Sequence, residues 1–78
     1  MEIEINNKTP NELLLDRRNT YIKKFDGLYR AQYPEYTPFQ RARKITGDLI
    51  ILHDKGELSK TWTFHSVIKI MQKLGIYN

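Results

Sequence analysis

The apolar residues in the first part of the chain recur at helical spacing. Between Pro10 and Gln32 they fall on one arc of roughly 120–140° when successive residues are placed 100° apart. The arc contains Leu14, Leu15, Tyr21, Ile22, Phe25, Leu28 and Tyr29. This pattern predicts one amphipathic helix over residues 10–32. Arg18 projects from within the arc, where we expect it to snorkel towards solvent or to pair with an acid on a neighbouring helix.

Two later segments have the same periodicity. The first, 38–54, would bury Phe39, Ala42, Ile45, Leu49 and Leu52, and the second, 63–74, would bury Phe64, Val67, Ile68, Met71 and Leu74. They are the predicted second and third helices. Gly47 lies inside the second helix, where glycine costs about 1 kcal/mol relative to alanine. We therefore expect two helices to approach closely at Gly47.

Local signals mark the helix ends. Thr9-Pro10-Asn11-Glu12 and Thr37-Pro38-Phe39-Gln40 each read as a capping box with proline at the first helical position. Gly56 and Gly75 fit the ends of the second and third helices. The predicted fold is all-α, a three-helix bundle of helix-turn-helix type that forms one domain over 1–78. Residues 1–8 are expected to form an arm or a short strand, because residues 2–5 alternate Glu-Ile-Glu-Ile.

Size and composition exclude several classes of protein. A chain of 78 residues builds one core, and the absence of cysteine excludes disulfides, thiolate metal sites and thiol catalysis. The longest apolar run, Leu49-Ile50-Ile51-Leu52, is far too short to span a membrane, and the first residues lack the pattern of a secretory signal. We therefore expect a soluble, cytoplasmic protein without a membrane partner.

Candidate catalytic chemistry is sparse. His53 and Glu57 are four residues apart and could ligate a metal, but Gly56 is expected to end the helix between them, and a third ligand has no obvious source. No glycine-rich phosphate loop or Ser-His-Asp set is found either. The sequence thus favours a non-enzyme without a metal, a cofactor or a small-molecule substrate.

The charge is unevenly distributed along the chain. Thirteen basic residues against nine acidic ones give a net charge of +4. Residues 1–16 carry −3 and residues 17–78 carry +7, while 36–47 and 58–78 contain no acid. Basic, acid-free stretches suit a polyanionic partner, because each cation placed on a phosphate releases counterions. DNA is the partner that we expect.

The third helix carries the candidate binding residues. With its apolar stripe buried, its outer face would present His65, Ser66, Lys69, Gln72 and Lys73. This is the layout of a recognition helix, in which His65, Ser66 and Gln72 would meet bases. Lys69 and Lys73 would hold phosphates together with three residues of the second helix: Arg41, Arg43 and Lys44. The alternative is that this face is simply the solvated side of a bundle.

A family resemblance lies in residues 45–77. The segments Ile45-Thr46-Gly47-Asp48-Leu49-Ile50-Ile51-Leu52-His53-Asp54-Lys55-Gly56 and Trp62-Thr63-Phe64-His65-Ser66-Val67 with the helix that follows resemble the helix-turn-helix arms of serine recombinases and transposases. Lys60-Thr61 departs from the pattern, in which glycine often precedes the tryptophan. The resemblance implies a DNA-docking module with His65, Ser66 and Lys69 facing the groove, as a regulator or accessory factor of a phage or other mobile element.

A second interpretation is a protein-interaction module. Ile51 and Ile70 fall outside the apolar stripes of their helices and would be exposed. Exposed isoleucines form docking patches or seal homodimers. In this interpretation the chain is a small phage- or plasmid-type factor that binds a host protein.

Overall fold

A computed structural model describes residues 8–78, and in this range the chain forms three α-helices and no strand. Helix α1 spans Pro10–Gln32, α2 spans Pro38–Asp54 and α3 spans Phe64–Lys73. The expected all-α, three-helix fold is confirmed. The first two helices have the bounds that the sequence predicts, and α3 is one residue shorter at each end. The expected strand or arm lies, apart from Lys8, outside the described residues.

The capping boxes form as the sequence indicates. The Thr9 and Thr37 hydroxyls accept from the backbone N–H three residues on, and the side chains of Glu12 and Gln40 accept from the cap N–H groups in return. Thr63 caps α3 by accepting from the N–H of Ser66. Each cap satisfies backbone donors that have no partner inside the helix.

Glycine ends two of the helices. Gly56 follows α2 with φ of 83°, and Gly75 follows α3 with φ of 75°, a region that side chains with a Cβ rarely enter. Gly47 is different, and the expectation of close packing there is wrong. A Cβ at Gly47 would meet no atom within 4 Å, because the residue faces outwards from α2.

Helix α2 occupies the centre of the fold and packs against both α1 and α3. Its buried residues Ala42, Ile45 and Leu49 meet Ile22 of α1 and Val67 and Met71 of α3 in one core. Burial of this apolar surface provides the main stabilisation of a chain without disulfides. None of the helices in the described part of the chain has the length and apolar character needed to cross a bilayer.

Residues 55–63 connect α2 to α3. Leu58 anchors this connection in the core, and Nδ1 of His53 donates to the Leu58 carbonyl at 2.9 Å. The connection is longer than the roughly three- to four-residue turn of a helix-turn-helix motif. The structure thus establishes the three helices, whereas the helix-turn-helix type of the fold remains a prediction.

An ion-pair network joins α1, α2 and the last residues of the chain. Asp26 accepts from Nε of Arg41 and from Nε of Arg30, both at 2.8 Å. The two arginines also donate to the Asn78 backbone oxygen, from Nη2 at 2.5 Å for Arg41 and 3.0 Å for Arg30. The network fixes the final residues against the paired α1 and α2.

Aromatic rings form a continuous row along α1 and the connection that follows it. Neighbouring rings lie 4.8–6.4 Å apart in the order Tyr21, Phe25, Tyr29, Tyr33 and Tyr36. The buried Tyr29 hydroxyl donates to the Asp48 carboxylate of α2. Burial, together with the hydrogen bond and the charge of Asp48, raises the pKa of Tyr29 above its ordinary value of 10.0.

Candidate nucleic-acid interface

Helix α3 turns its buried stripe inwards at Val67 and Met71, which leaves the opposite side in solvent. Four predicted residues are exposed there: His65, Lys69, Gln72 and Lys73. Within residues 8–78, neither Lys69 nor Lys73 makes an ion pair or a hydrogen bond. Both ammonium groups are therefore available to an external anion.

Ser66 takes part in the N-terminal cap of α3. It is half-buried, and its hydroxyl accepts from the Thr63 hydroxyl at 3.0 Å while its N–H donates to the same oxygen. Its position belongs to the predicted face, but its side chain is engaged in the helix cap. Ser66 is thus less free to meet a base than His65 or Gln72.

Arg43 of α2 extends the basic face beyond the start of α3. Its guanidinium carbon lies 5.9 Å from the centre of the Phe64 ring. That ring packs edge-on against Phe39 at 4.9 Å and lies 6.1 Å from the His65 ring. The aromatic contacts hold the start of α2 against the start of α3. They bring Arg43 to the same end of the interface as His65.

Lys44 lies towards α1. Its ammonium is 5.5 Å from the centre of the Tyr29 ring on α1, whereas Arg43 lies over a ring of α3. Both residues line a shallow depression on α2 together with Tyr36 and Gln40. Lys44 is exposed and cationic, but it flanks the α3 face instead of belonging to it.

The prediction that Arg41 holds a phosphate is wrong. Only 4% of Arg41 is exposed, and its guanidinium is occupied by Asp26, by the Tyr36 carbonyl and by the Asn78 backbone oxygen. Its position in the helix places it against α1, beside the apolar stripe. Arg41 acts in the fold, and the basic contribution of α2 comes from Arg43 and Lys44.

A depression between α1 and α3 is lined by a basic side chain, Arg18, for which the sequence predicts no binding role. It has a volume of about 280 Å³ and is lined by Arg18, Asn19, Lys69, Ile70, Lys73 and Leu74. Arg18 lies over the half-buried Trp62, with its guanidinium carbon 5.2 Å from the ring centre. Three cations therefore converge on this depression.

Of the two alternatives expected for Arg18, the structure contradicts the ion pair with a neighbouring helix. Among residues 8–78, no carboxylate lies within 4 Å of its guanidinium, and its one hydrogen bond goes from Nε to the Asn19 side chain at 2.9 Å. The positions three and four residues away from Arg18 on α1 carry Leu14, Leu15, Tyr21 and Ile22, so α1 itself supplies no acid partner for Arg18 either.

Three carboxylates of the described residues are engaged by groups outside α3. Asp26 is buried with its two arginines, Asp48 accepts from Tyr29, and Glu57 accepts from the Tyr21 hydroxyl at 3.3 Å. Residues 58–78 contain no acid. The outer face of α3 and the adjoining depression thus have one sign of charge, which attracts anions.

The two candidate partner-binding residues differ. Ile51 is 52% exposed on α2, as expected, and its neighbour Ile50 is 44% exposed. Ile70 is half-buried and packs against the core, so its predicted exposure is wrong. It lies on the side of α3 that faces α1, where it lines the depression between α1 and α3 together with Arg18.

Residues 8–78 contain no cluster of three or more His, Asp or Glu side chains that could hold a metal ion. No family model matches the chain, and comparisons with curated proteins and with solved structures find no significant match. The resemblance of residues 45–77 to helix-turn-helix arms therefore rests on its residues alone.

Proposed function

We propose that this chain binds duplex DNA through the outer face of α3. The observation that carries the proposal is the pair of exposed, unpaired ammonium groups of Lys69 and Lys73 on a helix without acids. Phosphate contacts supply most non-specific affinity, since each one releases counterions from the DNA. Arg43 of α2 adds a third exposed cation, which lies beside the start of α3.

In this proposal the polar residues of the same face contact the bases. Gln72 offers an amide that can pair with the N6 and N7 edge of adenine, and His65 offers a ring nitrogen. Helix α3 is about 15 Å long at 1.5 Å per residue, so one copy reads only a few base pairs. Sequence specificity then needs a homodimer or a larger complex. This suits a regulator or accessory factor of a phage or other mobile element.

Protein docking is the second candidate function, and the exposed pair Ile50 and Ile51 favours it. Two adjacent isoleucines in solvent cost free energy that a partner surface would recover. The two functions use different surfaces, because Ile51 lies on α2 and the lysines lie on α3. The two functions can therefore be distinguished by identifying which surface residues respond to DNA.

The test is a titration of ¹⁵N-labelled protein with a random-sequence duplex, followed through the backbone amide shifts. We expect the largest shifts in α3 and around Arg43, and small ones around Ile51. Shifts that cluster around Ile50 and Ile51, or no shifts at low salt, would contradict the DNA proposal. A Lys69→Ala/Lys73→Ala variant should remove the response, and Lys23→Ala/Lys24→Ala is the charge-matched control on the exposed side of α1.

A further inference from the structure

Arg18 has an unusual environment for a cation. It is half-buried within the apolar face of α1, its guanidinium lies over Trp62, and burial lowers its pKa from the ordinary value of 12.5. Arginine nevertheless remains charged at neutral pH. A partly desolvated charge without a counter-ion is unfavourable, and an opposite charge beside it relieves the cost.

The hydrogen-bonding capacity of Arg18 is largely unused. Nε donates to Asn19, whereas neither Nη1 nor Nη2 donates to any residue in the range 8–78. The guanidinium thus keeps up to four N–H groups for an external acceptor. A planar fork of this kind matches the oxygen spacing of a phosphate.

The surrounding depression has the matching charge. Lys69 and Lys73 of α3 line it opposite Arg18 and Asn19 of α1, and no acid lines it. Ile70 and Leu74 provide the apolar part of the wall. An anion in this depression lies within reach of cations from both helices at once.

We propose that the depression between α1 and α3 binds one phosphate group, with Arg18 donating from its two Nη atoms and Lys69 and Lys73 neutralising the charge from the α3 side. The proposal rests on the proposed DNA function, which makes a backbone phosphate the ligand. Such a contact ties α1 to the DNA backbone and fixes the orientation of α3 in the groove. Trp62, the only tryptophan, lies against Arg18 and reports occupancy of the site through its fluorescence.

The experiment measures Trp62 fluorescence and DNA affinity for the unchanged chain, Arg18→Gln and Lys24→Gln. Lys24 is exposed on α1 and is the charge-matched control. One arm titrates inorganic phosphate against sodium chloride of equal ionic strength, and the other titrates a random-sequence duplex at several salt concentrations. We expect both ligands to change the fluorescence of the unchanged chain. Arg18→Gln should lose the phosphate response, bind DNA about tenfold more weakly, and lower the salt slope by about one.

The outcomes separate this inference from the proposed function. If Arg18→Gln binds DNA as Lys24→Gln does while Lys69→Ala/Lys73→Ala weakens binding, the phosphate site is refuted and the DNA function stands. If the unchanged chain binds phosphate through Arg18 but not DNA, the site stands, free phosphate is the source and the DNA function is refuted. No response to either ligand refutes both.

A second variant, Arg18→Lys, keeps the charge but loses the planar fork of N–H donors. It replaces Arg18→Gln if circular dichroism shows that the glutamine variant is unfolded. Tight phosphate binding by Arg18→Lys would then refute the forked contact.

Discussion

Nε of Arg41 donates to Oδ1 of Asp26 at 2.8 Å, and each of the two side chains has only 5% of its surface exposed. The pair links the first turn of α2 to α1. The same guanidinium also donates to the Tyr36 carbonyl and to the Asn78 backbone oxygen, so each of its three nitrogens makes a hydrogen bond. A residue that the charge pattern assigned to DNA thus serves as a buried connector.

Removing this connector should strongly destabilise the fold. Arg41→Ala leaves Asp26 buried with Arg30 alone, and breaking a buried pair on one side costs about 3–5 kcal/mol of unfolding free energy. Urea denaturation followed by circular dichroism measures the loss. Arg43→Ala, two residues away and exposed, should cost less than about 1 kcal/mol. Equal costs for the two variants would contradict the structural role of Arg41.

Gly47 is a position where the chain can be stabilised. It lies in the middle of α2 with open space around its missing Cβ, so Gly47→Ala should raise the unfolding free energy by roughly 0.5–1 kcal/mol. Gly56→Ala is the control, because φ of 83° at Gly56 makes any side chain unfavourable there and should lower stability. A loss of stability in Gly47→Ala would indicate that a neighbour packs on this face.

Tyr29 makes stability depend on pH in the alkaline range. Its pKa in the folded chain is raised above 10.0, so above that pH the unfolded chain loses a proton that the folded chain keeps. The contribution of Tyr29 is complete below pH 10 and falls as the pH rises further, by at most about 1.4 kcal/mol per unit. The difference in unfolding free energy between the unchanged chain and Tyr29→Phe should shrink as the pH rises from about 10 to about 11. A difference that stays constant over this range would contradict the raised pKa.

The two isoleucines of the alternative function should respond differently to a charge. Ile51→Asp should change the unfolding free energy by no more than about 0.5 kcal/mol, because Ile51 is exposed, and should leave DNA binding intact. Ile70→Asp places a carboxylate in a half-buried apolar position beside Lys69 and Lys73, and should cost about 1–2 kcal/mol as well as weaken DNA binding. Loss of DNA binding in a folded Ile51→Asp variant would favour an interface centred on α2.

Much of the fold could be predicted because its signals are local. The signals at the helix ends act within one turn, and the structure shows each of them. The capping boxes form at Thr9 and Thr37, and Gly56 and Gly75 adopt positive φ after α2 and α3. The exposure of Lys69 and Lys73 also follows from the apolar stripe of α3 alone.

What escaped prediction depends on contacts between helices. Arg41 pairs with Asp26 on another helix. Its spacing of four and eight residues from Ile45 and Leu49 places it beside the apolar stripe, unlike Arg43, but α2 alone does not indicate the partner. Ile70 is covered because α1 lies on that side of α3, a fact that the periodicity of α3 does not contain. Of the two alternatives for Arg18, snorkelling towards solvent or an acid partner on a neighbouring helix, the packing of the described residues does not provide the acid partner. Helical periodicity gives the inward face of a helix but not the neighbour that flanks it.

The most direct test of the central claim is the salt dependence of DNA affinity, measured by fluorescence anisotropy of a labelled random-sequence duplex. Because each phosphate contact contributes about 0.9 to the slope of log affinity against log salt, Lys69→Ala/Lys73→Ala should lower that slope by about two and weaken binding. Lys23→Ala/Lys24→Ala, with the same change in net charge, should change the slope little if α3 is the contact surface. Equal effects of the two variants, or no binding by the unchanged chain at low salt, would contradict a DNA interface on α3.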